Sequence, residues 1–185
     1  MRLLNIILII FFSITNQIKA DQKNQTLNIL KKGGNLIFIR HAYAPGSGDP
    51  DNFDINDCST QRNLSYSGRE QSKKIGKFFV KNNIPISLVI SSKWCRCKET
   101  AQIAFKNFET KNFLNSFYSE EFSKNKKSQM KNLKKYTDNW NENENLVLVT
   151  HYVVISEALG YAPSSGEIVI ANKDFKKIGN IKIDY

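Results

Sequence analysis

The chain has 185 residues, 41% of them hydrophobic, and carries a formal charge of +10. That length suits one domain with a substantial core. The positive charge forms no aromatic-interleaved stripe and no nucleic-acid motif, which excludes nucleic acid as the expected partner. In chain order, Arg2, the apolar run 3–12 and the small Ala20 read as a signal peptide over 1–20, cut near Asp21. The expected product is an exported protein, periplasmic or secreted, with no stable membrane span after cleavage. A retained signal anchor is the alternative, because Ile18 stands where a small residue is usual before the cut.

Residues 21–34 are polar and read as a leader with at most one helical turn, followed by a single domain over 35–185. Leu36–Ile39 is the first strand. Ala42–Arg62 is a long loop with Pro45, Gly46, Gly48, Pro50 and four aspartates, and a loop of that length in a small domain is usually functional. Ser65 or Ser67 caps a helix running to about Lys81, with Ile75, Phe78 and Phe79 on its apolar stripe. Ile84–Ile90 is the second strand, Cys95–Phe105 a helix and Phe113–Tyr118 the third strand. Glu120–Trp140 is a lysine-rich helix, Leu146–Val149 the fourth strand, and a helix then runs to about Leu159. Glu167–Ala171 and Ile178–Ile183 close the chain as β-structure. Strands alternating with helices predict an α/β fold, a three-layer α/β/α domain around a mostly parallel sheet. The lysines at 124–127 and 131–135 read as a solvated helix face, or as a field that steers an anionic substrate.

Two stretches resemble one another: Asn35-Leu-Ile-Phe-Ile-Arg40-His41 and Asn145-Leu-Val-Leu-Val-Thr150-His151. Each is an apolar strand ending in a histidine, and these are the two histidines of the chain. Strand carboxyl ends line the ligand crevice of a parallel sheet, so the pair points to an imidazole site for an anion. Arg40 beside His41 disfavours imidazolium and keeps the ring nucleophilic. Arg96, at the start of a helix after the second strand, adds a planar donor fork suited to phosphate oxygens. The three cysteines allow one bridge. Cys95 and Cys97 would face nearly opposite ways on a helix, so Cys58 can bridge to one of them and not interchangeably to both. Three small buried thiols are the alternative. Their spacing does not make a zinc site.

Four segments in order are similar to the histidine phosphatase superfamily, branch 1, the phosphoglycerate mutase-like group. They are Arg40-His41-Ala42, Leu64-Ser65-x-x-Gly68-x-x-Gln71, Ser92-x-x-x-Arg96-x-x-x-Thr100-Ala101 and Val149-Thr150-His151. Cys58–Ser65 and Ser165–Val169 resemble an exported subgroup that includes lipopolysaccharide core heptose phosphatase-like proteins. The resemblance implies a phosphorylated nucleophile at His41 and a phosphate pocket of Arg40, Arg96 and His151. It implies hydrolysis of a small anionic phosphorylated substrate, such as a phosphosugar or phosphohistidine, and no cofactor. A mutase using the same intermediate and a non-catalytic binder of phosphorylated ligands are the rival readings. Thr150 and Arg62 are expected on the substrate side, Arg62 either selecting substrate or anchoring the loop. The proton donor has no clear motif; Glu120 and Glu121 are the candidates by position, with Asp54 and Asp57 as others.

Overall fold

A computed structural model describes residues 24–141 and 143–185. The expected signal segment lies outside the described residues. Residues 24–32 form a helix, α1, longer than the single turn expected. Its Leu30 is fully buried, so this polar stretch contributes to the core rather than merely leading into it. Among the described residues, no helix is long and apolar enough to cross a membrane.

The strands are β1 (Leu36–Arg40), β2 (Ile86–Ser91), β3 (Glu109–Thr110), β4 (Asn145–Thr150), β5 (Ile168–Ala171) and β6 (Lys177–Ile181). They make one six-stranded sheet in the order β3-β2-β4-β1-β5-β6. The pairs β3–β2, β2–β4 and β4–β1 are parallel; β1–β5 and β5–β6 are antiparallel. The principal helices are α2 (Tyr66–Lys81), α3 (Cys95–Phe105), α5 (Lys126–Asp138) and α6 (Tyr152–Leu159), with a short α4 (Glu120–Ser123).

Both faces of the central strands are buried, which is why they read as unbroken apolar runs. Ile37 and Ile39 of β1, with Val147 and Val149 of β4, join Ile75, Phe79 and Ala101 from α2 and α3. The alternate residues Leu36, Phe38, Leu146 and Leu148 join Leu133, Val154 and Ile155 from α5 and α6. Helices therefore cover the sheet on two sides, as the alternation of elements requires.

Two elements differ from expectation. The third strand is only Glu109–Thr110, and Phe113–Tyr118 instead contains a 3-10 turn (Asn112–Leu114) and extended chain. Here side chains claim the backbone that a strand would have paired: Thr150 donates to the Leu114 carbonyl and Gln129 to the Asn115 carbonyl. Leu114 and Phe117 are apolar because they pack in the core, not because they alternate in a sheet. The lysine-rich helix is broken between α4 and α5, with Lys124 and Asn125 at the join. The break lets Phe122 pack on Phe53 and Trp94 while α5 turns Leu133 to the sheet.

Candidate active site

The resemblance between the two histidine-terminated strands has a direct structural meaning. They are neighbours, β1 and β4, paired in parallel from Leu36↔Leu146 to Arg40↔Thr150. Their shared start fixes that register. The Asn145 amide oxygen accepts from both the backbone and the side chain of Asn35, at 3.2 and 2.9 Å. Equal spacing from Asn35 to His41 and from Asn145 to His151 then delivers the two histidines side by side at the carboxyl edge, with ring centroids 5.5 Å apart. The backbone N–H of His41 donates to the Thr150 carbonyl at 2.9 Å.

His41 has one tautomer available to it. Its Nδ1 lies 2.8 Å from the Ala42 carbonyl, which can only accept, so Nδ1 carries the proton. On the other side Arg96 Nε, which can only donate, lies 3.3 Å from Nε2. Nε2 therefore presents a lone pair. Burial first, then the positive charge of Arg96, holds the His41 pKa well below its ordinary value; the Ala42 hydrogen bond opposes this without offsetting it. His151 is depressed in the same way, by burial and then by Arg96 and His41. It stands just before α6, with Nε2 2.9 Å from Ser92 Oγ and 3.5 Å from Cys97 Sγ.

A cleft of about 380 Å³ opens over this edge. Arg40, His41, Arg62, Arg96 and His151 all border it, so the structure brings together every arginine and histidine expected there. Arg40 donates from Nη1 to the Pro163 carbonyl at 2.9 Å, and its buried Nε has no protein partner. Arg62 fills both roles considered for it. It borders the cleft, and it anchors the long loop through Nε to Gly48 O (2.7 Å) and Nη1 to Ala44 O (2.5 Å). Thr150 does not border the cleft. Its hydroxyl is buried and donates to Leu114 O at 2.6 Å, so its contribution is to hold the strand end. Of the carboxylates considered as proton donors, Glu121 borders the cleft and Glu120 does not. Asp54 and Asp57 are occupied within the loop, accepting from the Asn56 and Ser59 amides.

Sequence reasoning missed Asp49. Its carboxylate meets Arg96 through two oxygens, 2.6 Å from Nη1 and 3.1 Å from Nη2. It also accepts from Trp94 Nε1 at 3.0 Å and from the Arg62 amide at 3.1 Å. Burial pushes its pKa up, but the hydrogen bonds and charge of Arg96 outweigh this and leave it lowered. Only the folded loop reveals this residue among four similar aspartates. At the start of α3 the Cys95 amide donates to Gln61 Oε1 at 2.9 Å.

The loop is held over the cleft in two further ways. A disulfide joins Cys58 to Cys95, the residue before Arg96, with 5.7 Å between their Cα atoms. Phe53 stacks on Trp94 at 5.0 Å, and Trp94 packs against His151 at 5.4 Å. Cys97 stays a free, buried thiol, its pKa pushed up to about 12 by burial.

The Leu64-Ser65-x-x-Gly68-x-x-Gln71 segment is scaffold. Ser65 Oγ caps α2 at the Gly68 amide (3.1 Å), which settles the choice between Ser65 and Ser67. A Cβ at Gly68 would stand 2.0 Å from the Tyr43 carbonyl, so the helix meets the loop only with glycine there. Gln71 accepts from the Tyr43 amide and donates to Ser165 O, tying the loop after β1 to the segment before β5.

No family model and no curated protein matches the chain. Solved structures do. A protein histidine phosphatase, SixA, solved with tungstate has a TM-score of 0.55 at 14% identity, covering 81% of this chain and 96% of its own. A phosphoglycerate mutase from Thermus thermophilus has a TM-score of 0.57 at 13% identity, covering 81% and 99%. The Mycobacterium tuberculosis open reading frame Rv3214 has a TM-score of 0.54 at 15% identity, covering 74% and 89%. The chain has the phosphoglycerate mutase-like fold, a three-layer α/β/α domain with a mostly parallel sheet.

Proposed function

We propose that this protein is a phosphatase of the histidine phosphatase superfamily, hydrolysing phosphate monoesters through a phosphohistidine at His41. The observation that carries the reading is the enforced tautomer of His41: an unprotonated Nε2, buried among three arginines. Phosphoryl transfer needs mostly positioning and charge neutralisation. In the first step the Nε2 lone pair attacks phosphorus while the bond to the leaving oxygen breaks, and that oxygen takes a proton. In the second, water attacks the phosphohistidine, releasing phosphate and restoring Nε2. Arg40, Arg62 and Arg96 offset the charge on the equatorial oxygens. Neutral His151 adds a nitrogen that hydrogen-bonds them without bringing a competing positive charge. Glu121 is the proton-donor candidate that borders the cleft.

Two neighbours in fold support the class, one a protein histidine phosphatase solved with a tetrahedral oxyanion and one a phosphoglycerate mutase. A mutase reaction through the same phosphohistidine is the alternative reading. Export is part of the proposal, and the Cys58–Cys95 disulfide supports it, since such bridges persist in oxidising compartments.

The test is His41→Ala with p-nitrophenyl phosphate as substrate. Turnover should fall to background while circular dichroism and tungstate binding persist. Rapid acid-free quenching of the wild type should give a phosphate adduct on the His41 peptide by mass spectrometry. Near-normal turnover in the variant would remove the phosphohistidine mechanism.

A further inference from the structure

The charge around the cleft is divided by depth. Arg96 belongs to its floor, 3% exposed and against His41 and Asp49, while Arg40 and Arg62 are half-buried on the walls, Arg40 5.3 Å over the Tyr152 ring. The rim carries the opposite sign. Asp51 and Glu121 border the cleft, both are exposed, and neither has a salt-bridge or hydrogen-bond partner among the described residues. Tyr118, 52% exposed, stands at the same rim with Tyr152, ring centroids 6.0 Å apart, and Ser47 lies 3.4 Å from its hydroxyl. Among the described residues no lysine borders the cleft. In a chain of formal charge +10 that absence is informative, because random placement would put basic side chains at the mouth.

This arrangement separates the two ends of a substrate. The phosphoryl group takes the arginines and histidines of the floor and walls. The leaving group then meets two unpaired carboxylates, a tyrosine and a serine hydroxyl, and no lysine. A leaving group bearing a carboxylate or a second phosphate would face like charge at Asp51 and Glu121, with the cleft arginines already engaged by the phosphoryl group. One bearing an ammonium group would meet both carboxylates and the face of an exposed ring, which attracts cations. Resting on the phosphatase reading, we infer that the enzyme selects phosphate monoesters whose leaving group carries an ammonium group, and discriminates against anionic ones. Asp51 is the specificity-determining residue.

Three sugar phosphates of similar size isolate leaving-group charge: glucosamine 6-phosphate, glucose 6-phosphate and 6-phosphogluconate. Each is measured as a competitive inhibitor of p-nitrophenyl phosphate turnover by the wild-type protein, and by calorimetry for direct binding. Affinity should fall in that order, by about fivefold per unit charge at low ionic strength, and the spread should shrink with added salt. Asp51→Lys should reverse the order between the first and last. A phosphorylated serine in a lysine-rich peptide, compared with the same peptide made neutral, distinguishes a macromolecular source of the ammonium group from a small amino sugar. Equal affinities for the three esters, or tightest binding of 6-phosphogluconate, would overturn the inference while leaving the phosphatase reading intact. Absence of p-nitrophenyl phosphate turnover with the charge order preserved in calorimetry would do the reverse.

Discussion

Arg96 spends all three of its nitrogens within the site: Nε on His41, Nη1 on Asp49 and the Arg62 carbonyl, Nη2 on Asp49. Asp49 thus holds the fork to which a phosphate would also bind, and it aligns that fork against the nucleophile. Both partners of this contact can be tested. Arg96→Ala should lower kcat/KM by at least about a hundredfold, the roughly 3 kcal/mol expected on removing one preorganised donor. Lysine should rescue it only in part, because a point charge cannot chelate two oxygens; steady-state kinetics on both variants decides this. Asp49→Ala leaves a buried guanidinium without its carboxylate and should cost about 3 kcal/mol. Inorganic phosphate can replace the lost charge, so it should raise the melting temperature of Asp49→Ala more than that of the wild type. Equal shifts would place Asp49 outside the anion site. Arg40, His41, Arg96 and His151 were legible in the sequence because each follows a strand or opens a helix at one sheet edge. Asp49 was not, because its role arises when a loop folds back on α3, and no periodicity marks that.

At the scale of elements, the long loop between β1 and α2 is the part of the fold that makes the site. It contributes Asp49, Asp51, Phe53 and Arg62 to the cleft and is fastened by Gln71, Trp94 and the Cys58–Cys95 bridge. The bridge spans a sequence separation of 37. In the chain-entropy account, closing a loop of that size stabilises the folded state by about 3–4 kcal/mol. Cys58→Ser should therefore lower stability by about that amount in urea unfolding, and the loss should match that produced by mild reduction of the wild type. A variant as stable as the oxidised parent would mean that the aromatic and hydrogen-bonded fastenings suffice alone. The sequence narrowed the bridge to Cys58 and one of two partners. Choosing Cys95 needed the helix phase, which places Cys97 in the core beside His151. The misread third strand has a similar cause: apolar spacing at Leu114 and Phe117 reports burial, and burial does not require sheet pairing.

Across the whole molecule, the sheet edge concentrates positive charge around two imidazoles that must stay neutral. Both histidines have pKa values well below the ordinary 6.5, through burial and then the field of Arg96. Above pH 6.5 neither the folded nor the unfolded chain protonates them, and the stability they contribute is fully present. As pH falls below that value the unfolded chain takes up protons that the folded site refuses, so stability declines until the folded pKa values are reached. The slope approaches about 1.4 kcal/mol per pH unit for each histidine. Asp49, with its pKa held below the ordinary 3.8, adds a loss in the same direction but in a lower window, as pH falls through that value. Urea unfolding of the wild type between pH 7.5 and pH 4.5 should therefore show stability flat at first and then falling. His151→Asn should lower that slope by about half, since it removes one of the two refused protons. A wild-type profile that stays flat to pH 4.5 would mean the imidazoles titrate normally in the folded protein. His41 would then be protonated and blocked as a nucleophile through the mildly acidic range, in conflict with the tautomer on which the proposed chemistry depends.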